Sequence, residues 1–393
     1  MSLRKDGMYN LKIHYIWTFL SSFLFLTPVI TLYYKYYGLN LHQILVLSAI
    51  YFIFSVILEI PTSLIWDSLP RRYVLRGSVI ATLISLLIYA FFPSLTMFYV
   101  AVFFAALGTT LWSGVGHSKL QEDLEAAWME NEFWKVIWYL IGLQNLWKLL
   151  TPFIIYLILK NFSNWYHILA IFDVISWLVA SFFVFKFKEV KDRNFLEWKT
   201  LFESISYQVW ILKEAFNFLF TNTDIQKLLL VVVLTTDFWY LWKIILPDLV
   251  SSWIRDYITS YLVFFSVLAG IIWNLIQSKI ANKIGYEKTF KLVVFLNFML
   301  YAMLFFVYRN KIALVIIFVF ISFVVWMWYP VWNHIFMQRT SVQQKSTVRS
   351  LFIMILSFFS WIVLLISSYL SLSVMLLMFS LMMFLGLLIL NLK

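Results

Sequence analysis

The chain has no cysteine, so disulfides, thiolate metal sites and cysteine nucleophiles are excluded. Charge is scarce as well. Only 12% of the 393 residues are Asp, Glu, Lys or Arg, against about 25% in a soluble domain. Hydrophobic residues reach 63%, where roughly 45–50% is usual. An ordinary soluble enzyme, a disordered chain and a nucleic-acid binder are therefore excluded. The five histidines (His14, His42, His117, His167 and His334) lie near the ends of apolar stretches, without metal-ligand spacing. Nothing resembles a P-loop, so the chain has no ATPase of its own. No cofactor or metal is expected.

Glycine shows the sharpest shortage. There are 10, where average usage gives about 28, and membrane helices usually carry more glycine than soluble ones. Tryptophan is in excess at 19, and the two residues together number 29. Two explanations stand. Either some tryptophans are glycines in the cell, through a stop codon reassigned to glycine, or an AT-rich lineage favours Phe, Ile and Leu and uses Trp as interfacial anchors. If every Trp codon is UGG, only the second survives.

Long apolar runs dominate what is present. A bilayer-spanning helix needs about 20 mostly apolar residues. Twelve such segments occur, near 11–34, 42–66, 73–92, 94–117, 134–159, 163–186, 227–251, 257–281, 287–308, 311–337, 348–369 and 371–391. They are continuous rather than alternating, which excludes a barrel. The first is too long and too poorly flanked for a cleaved signal peptide. With the N-terminus inside, 23 of the 30 Lys and Arg fall in inner loops and tails and five in outer loops; Lys148 and Lys243 lie within spans. The +11 net charge therefore reads as a positive-inside signal. It predicts an inner or plasma membrane protein with both termini cytoplasmic.

The longest hydrophilic stretch, 186–226, divides the spans into two sets of six. The predicted organisation is an N-terminal six-helix half (1–190), a cytoplasmic linker (191–226) and a C-terminal six-helix half (227–393). In the linker, Leu201, Ile205, Val209, Leu212 and Phe216 recur every three to four residues. That spacing fits either an amphipathic helix on the inner face or a plain connector. The loop after the second span, around Asp67 and Pro70, aligns with the loop after the eighth, around Asn282 and Gly285, at an offset of 215 residues. An internal repeat of two pseudo-symmetric halves is expected.

The segment Glu59-Ile60-Pro61-Thr62-Ser63-Leu64-Ile65-Trp66-Asp67, followed by Arg71-Arg72, resembles the loop between spans two and three of the major facilitator superfamily. The family pattern is roughly G-x-x-x-D-x-x-G-R-R/K; Ser63 and Pro70 replace its glycines. Ser113-Gly114 with Glu122-Asp123 and Lys135, and later Arg339-Thr340 and Ser346 to Ser350, resemble a bacterial drug-efflux-like branch. The resemblance implies twelve transmembrane helices in an all-α fold. It also implies a cytoplasmic gate at Asp67, Arg71, Arg72 and Asn282, in which charge-assisted hydrogen bonds latch one state. The arginines read equally as topology markers.

Ionisable residues inside the bilayer are costly and usually functional. Lys148 lies about 21 Å and Asp237 about 15 Å from the inner ends of their spans, at 1.5 Å per residue. Asp237 is the leading candidate for proton coupling or cation binding, with Lys148 as its partner. Asp173 is a further candidate, or else makes a structural hydrogen bond within the N-terminal half. Glu59 is either a gating carboxylate or a partner of the backbone freed by Pro61. Trp239, Tyr240, Trp326 and Tyr329, with Trp332 close by, are candidate cavity aromatics suited to cationic or amphipathic compounds. Packing and interfacial belts account for most of the remaining aromatics.

These features predict a secondary active transporter rather than an enzyme. It would be a monomer in the lipid bilayer, moving a small organic solute by alternating access, with protons as coupling ion and efflux as direction. Uptake of a nutrient or lipid-like molecule, and a polytopic membrane transferase, are the alternatives. The longest loop has neither His nor Gly, which disfavours the transferase.

Overall fold

A computed structural model describes residues 2–162, 165–190, 216–236, 283–339 and 345–391, with isolated positions between 206 and 214 and between 244 and 281. Among the described residues there is no strand. The helices are α1 (Ser2–Ser21), α2 (Ile30–Tyr36), α3 (Leu41–Ser68), α4 (Arg71–Phe91), α5 (Leu95–Ala127) and α6 (Phe133–Asn161). They continue with α7 (Trp165–Val184), α8 (Thr223–Thr236), α9 (Tyr286–Val307), α10 (Lys311–Arg339), α11 (Lys345–Ser368) and α12 (Leu372–Asn391). Among the described residues, eight helices are long and apolar enough to cross a membrane. The chain is a multi-pass membrane protein.

Most expected spans recur as helices with ends shifted by a few residues. Most of span eight (257–281) and of the outer half of span seven lie outside the described residues, as do residues 191–205 and several positions up to 215 in the linker.

Two expected spans differ in kind. The first is interrupted. α1 ends at Ser21, a 3-10 turn covers Thr27–Val29, and α2 follows. The Ser22 hydroxyl donates to the Thr18 carbonyl at 2.5 Å, a side-chain bond that competes with the helical ladder. Pro28 at the start of the 3-10 turn supplies no backbone donor. The fourth span was expected to stop near 117, because polar residues follow. Instead α5 runs to Ala127, and Lys119, expected in an inner loop, is fully buried.

The chain divides into two compact units. The first comprises residues 1–33 and 50–209, the second residues 34–49 and 210–393. In the first unit α4 packs on α5 and α7, and α1 packs on α5, α6 and α7. Its core joins Trp17, Leu75, Val79, Val115, Ala180 and Val184. In a bilayer such contacts rest on close packing, because lipid is as apolar as leucine. Gly108 shows the principle: a Cβ there would lie 2.2 Å from Thr82 Oγ1, so glycine lets α4 and α5 touch. In the second unit α9 packs on α10 and α12, and α8 on α10, α11 and α12. The His42 ring donates from Nδ1 to the Ser368 carbonyl at 2.7 Å.

Candidate functional site

The densest polar constellation among the described residues sits at one end of the first unit, where α1, α5 and the segment after α7 meet. Asn10 and His14 are one turn apart on α1, and Lys119 and Asp123 one turn apart on α5. Residues at that spacing share a helix face. Gly7 permits the approach: a Cβ there would lie 2.7 Å from the Asp123 carbonyl oxygen and 2.8 Å from the Ala127 nitrogen.

Asp123 is the hub. Its Oδ1 accepts from Asn10 Nδ2 at 2.7 Å and from Lys119 Nζ at 2.6 Å. Its Oδ2 meets His14 Nε2 at 2.9 Å. The Lys188 carbonyl accepts from the same Asn10 and Lys119 donors at 2.8 and 2.9 Å, and the Lys188 N–H donates to Asn10 Oδ1 at 3.0 Å. Asn10, His14, Lys119 and Asp123 are all buried. Pairing and hydrogen bonding offset the large cost of burying charge. The cluster thus ties α1, α5 and the exit of α7 into one block.

The basic residues that open α4 extend this block. Arg71 Nε lies 3.2 Å from Glu122 Oε1, both largely buried. The Arg72 backbone N–H donates to Glu189 Oε2 at 3.3 Å, and Arg76 donates to the Phe185 carbonyl at 2.7 Å. At the rim, Lys188 Nζ donates to Asp6 at 2.6 Å. That bond and the Asp6 charge push the exposed Lys188 ammonium above its usual range. Of the expected gate residues, Arg71 and Arg72 are thus brought together with Glu122 and Glu189. Asp67 falls in the last turn of α3, with its side chain outside the described residues, and Asn282 lies outside them altogether.

The intramembrane candidates are not gathered into one place by the described residues. Asp173 on α7 is buried and accepts the backbone N–H groups of Phe25 at 2.5 Å and Leu26 at 3.1 Å. It satisfies the donors released where α1 breaks. Glu59 on α3 is half-buried, and among the described residues no hydrogen bond or ion pair reaches its carboxylate. One residue beyond Pro61, the Thr62 hydroxyl donates to the Leu58 carbonyl at 2.7 Å. Lys148 falls on α6, but its side chain lies outside the described residues. Asp237, Trp239 and Tyr240 lie outside them entirely. Trp326 and Tyr329 fall on α10, again with side chains outside the described residues. Their neighbour Trp332, expected in the same aromatic wall, is buried against Phe352 and Phe336. It belongs to the core.

A second feature of the first unit escapes sequence reading. Tyr15 of α1 and Tyr139, Gly142, Leu143 and Leu146 of α6 line an open cavity of about 630 Å³. Tyr139 and Leu146 are more than half exposed, and a Cβ at Gly142 would meet nothing within 4 Å. Nothing in the sequence separates this stripe from lipid-facing residues. The Asp123 cluster does leave a signal, namely two polar pairs at helical spacing, Asn10/His14 and Lys119/Asp123.

No family model matches the chain, and no curated protein matches it by sequence. Solved structures do match along its whole length. The nucleoside transporter NupG is 12% identical over 100% of both chains, with a TM-score of 0.71. A POT family transporter in complex with 5-aminolevulinic acid is 12% identical over 97% of this chain and 94% of its own, with a TM-score of 0.75. A D-xylose–proton symporter is 13% identical over 98% and 97%, with a TM-score of 0.71. Identities this low establish the fold alone. The chain shares the all-α fold of these transporters, with transmembrane helices, the fold class expected from the resemblance at Asp67, Arg71 and Arg72.

Proposed function

We propose that the protein is a secondary active transporter that moves a small organic solute across its membrane by alternating access. The observation that carries this reading is the full-length likeness to transporters of the major facilitator fold. Those transporters include one for nucleosides and one for a sugar, so the fold does not select the solute. Neither the drug-efflux branch nor the direction follows from it.

The chemistry of this chain supports an amphipathic or cationic solute. The open stripe from Tyr15 to Leu146 offers aromatic and aliphatic surface with two phenol hydroxyls. Such surfaces take the apolar body of a ligand and leave few polar groups to orient it. Trp239, Tyr240, Trp326 and Tyr329 would add aromatic faces for a cation. Asp237 carries the coupling proton or the cation, with Lys148 as its counter-charge and Glu59 as a further titratable group near the path. Asp173 already serves two backbone donors and acts as a positioning residue. Efflux driven by an inward proton gradient is the proposed direction, with the protein in the inner or plasma membrane and both termini cytoplasmic.

The gate at Arg71 and Arg72 fits the same reading. Charge-assisted bonds present in one state and absent in another bias a two-state equilibrium. Glu122 is the partner of Arg71, and Asp67 with Asn282 would complete the latch.

Purified protein in sealed vesicles tests the reading. Uptake of a panel of fluorescent lipophilic cations, neutral dyes and metabolites is measured with and without an imposed pH gradient. Transport of at least one class, dependent on the gradient and lost in Asp237→Asn, is the expected result. Gradient-driven transport undiminished in Asp237→Asn would remove that residue from coupling. No movement of any compound by folded protein would count against transport itself.

A further inference from the structure

A mixed-charge cavity lies at one end of the second unit, where α8 and α9 begin and α10 and α12 end. It measures about 230 Å³. Lys227, Lys291 and Arg339, from three different helices, line its rim, and Leu228, Phe290, Ile335, Ile389 and Leu390 form its apolar walls. Asp224 and Glu287 are the acids present. Glu287 is occupied by Arg339 at 2.5 Å. Among the described residues, Lys291 reaches only the neutral Asn391, at 3.3 Å. Lys227 has no hydrogen-bond or ion-pair partner among the described residues. Lys288, exposed in the first turn of α9, adds to the positive surplus.

Beyond the cavity, both α9 and α12 carry exposed apolar residues. On α9, Leu292 and Phe295 are exposed, and on α12, Leu385 and Leu388 are exposed. The two helices pack on each other. Leu292 follows Lys291 directly and Phe295 lies one turn beyond it on α9, while Leu388 and Leu385 descend α12 from its end. A basic rim above an apolar strip is amphipathic in the direction of the helix axes. By the positive-inside count, this end faces the cytoplasmic leaflet.

We propose that this cavity is a binding site for an anionic glycerophospholipid of the inner leaflet. The phosphate would take Lys227 and Lys291, and an acyl chain would lie along Leu292, Phe295, Leu385 and Leu388. Basic pockets between helices on that side suit such headgroups. A soluble anion would use the rim but not the track, and a zwitterionic lipid would use the track without matching the surplus charge. The site is distinct from the first unit's cluster and does not depend on the transport reading.

Thermal unfolding of the detergent-solubilised full chain tests it, titrated separately with short-chain phosphatidylglycerol, phosphatidylcholine and inorganic phosphate. Phosphatidylglycerol should raise the unfolding temperature saturably, and phosphatidylcholine and phosphate much less, since each matches only part of the site. In Lys227→Gln/Lys291→Gln the apparent affinity should fall about thirtyfold, from the roughly fivefold that each basic residue near an anionic surface contributes. Lys12→Gln, at an exposed lysine of the first unit, should bind as the parent does. A loss of affinity in the double variant, but not in Lys12→Gln, supports the site. Equal response to phosphatidylcholine, reproduction of the shift by phosphate, or an unchanged double variant would overturn it. If the double variant unfolds before lipid is added, Leu388→Asp, on the exposed track, replaces it and should lower affinity for the lipid; unchanged affinity there would overturn the site equally.

Discussion

Asp173 holds the backbone of Phe25 and Leu26 from 148 and 147 residues away, through one carboxylate oxygen each. A break in a membrane helix strands donors that lipid cannot satisfy. One buried acid on α7 takes two of them, and so sets where the first span bends. Asp173→Asn keeps the size of the side chain but turns one acceptor into a donor facing an N–H. The expected cost is about 1–3 kcal/mol, the range for leaving a buried donor unsatisfied. Hydrogen exchange should rise at residues 23–27 before it rises elsewhere in the first unit. Unchanged protection there would mean that the bend is held by something else.

Lys119 and Asp123 form a buried ion pair, and removing one partner leaves an uncompensated charge. Lys119→Met should destabilise by about 3–5 kcal/mol. Lys119→Met/Asp123→Leu should recover part of that loss, because no lone charge remains. Unfolding midpoints of the two variants in one detergent provide the comparison. A double variant less stable than the single one would show that Asp123 acts mainly through Asn10 and His14.

Trp128 ends α5 in the left-handed region, with φ of +65° and 77% of its surface exposed. Glycine is the usual residue at such a cap. The left-handed conformation costs a residue with a Cβ roughly 1–2 kcal/mol. Against this, Arg4 lies 4.9 Å from the Trp128 ring, a contact worth about 0.5–1 kcal/mol at an exposed site. Backbone strain outweighs the ring contact, so Trp128→Gly should stabilise slightly. A clear loss of stability would refute this balance. Peptide mass spectrometry of protein from its natural host bears on the glycine shortage directly: glycine at position 128 means a reassigned codon, and tryptophan there removes this position from that explanation.

Arg71 and Glu122 form an ion pair between the first turn of α4 and α5. If it stabilises one gate state, Glu122→Gln should weaken that state while preserving shape. A single cysteine replacing Arg76 or Lys12 in this cysteine-free chain should then label at a changed rate. Equal rates in both backgrounds would make the pair purely structural.

How much of the fold is legible in the sequence depends on where the information lies. Helix ends such as Phe91 and Val184 follow from local apolarity and fall within a few residues of expectation. The extension of α5 across Lys119 and Asp123 does not, because a count of apolar residues stops where polar ones begin, and the burial of that turn against Asn10 and His14 is set by residues distant in the chain. The break after Ser21 depends on Asp173, far away in the chain, so Pro28 alone suggests a bend but not its location. Arg71 and Arg72 stand out through their motif. Glu122 is visible only as part of a resemblance, and pairing it with Arg71 requires the packing of α4 on α5. The open stripe around Gly142 has no sequence signature, since exposed tyrosine and leucine are common on any membrane helix.

Alternating access itself is tested most directly at Gly142, where a side chain would meet open space. Gly142→Cys in sealed vesicles is labelled with a membrane-impermeant maleimide, in right-side-out and inside-out preparations separately. A transporter that exposes one wall to each side in turn predicts labelling from both sides, slowed by any compound found to be transported. Labelling from one side only, under every condition, would describe a fixed cleft and would contradict alternating access.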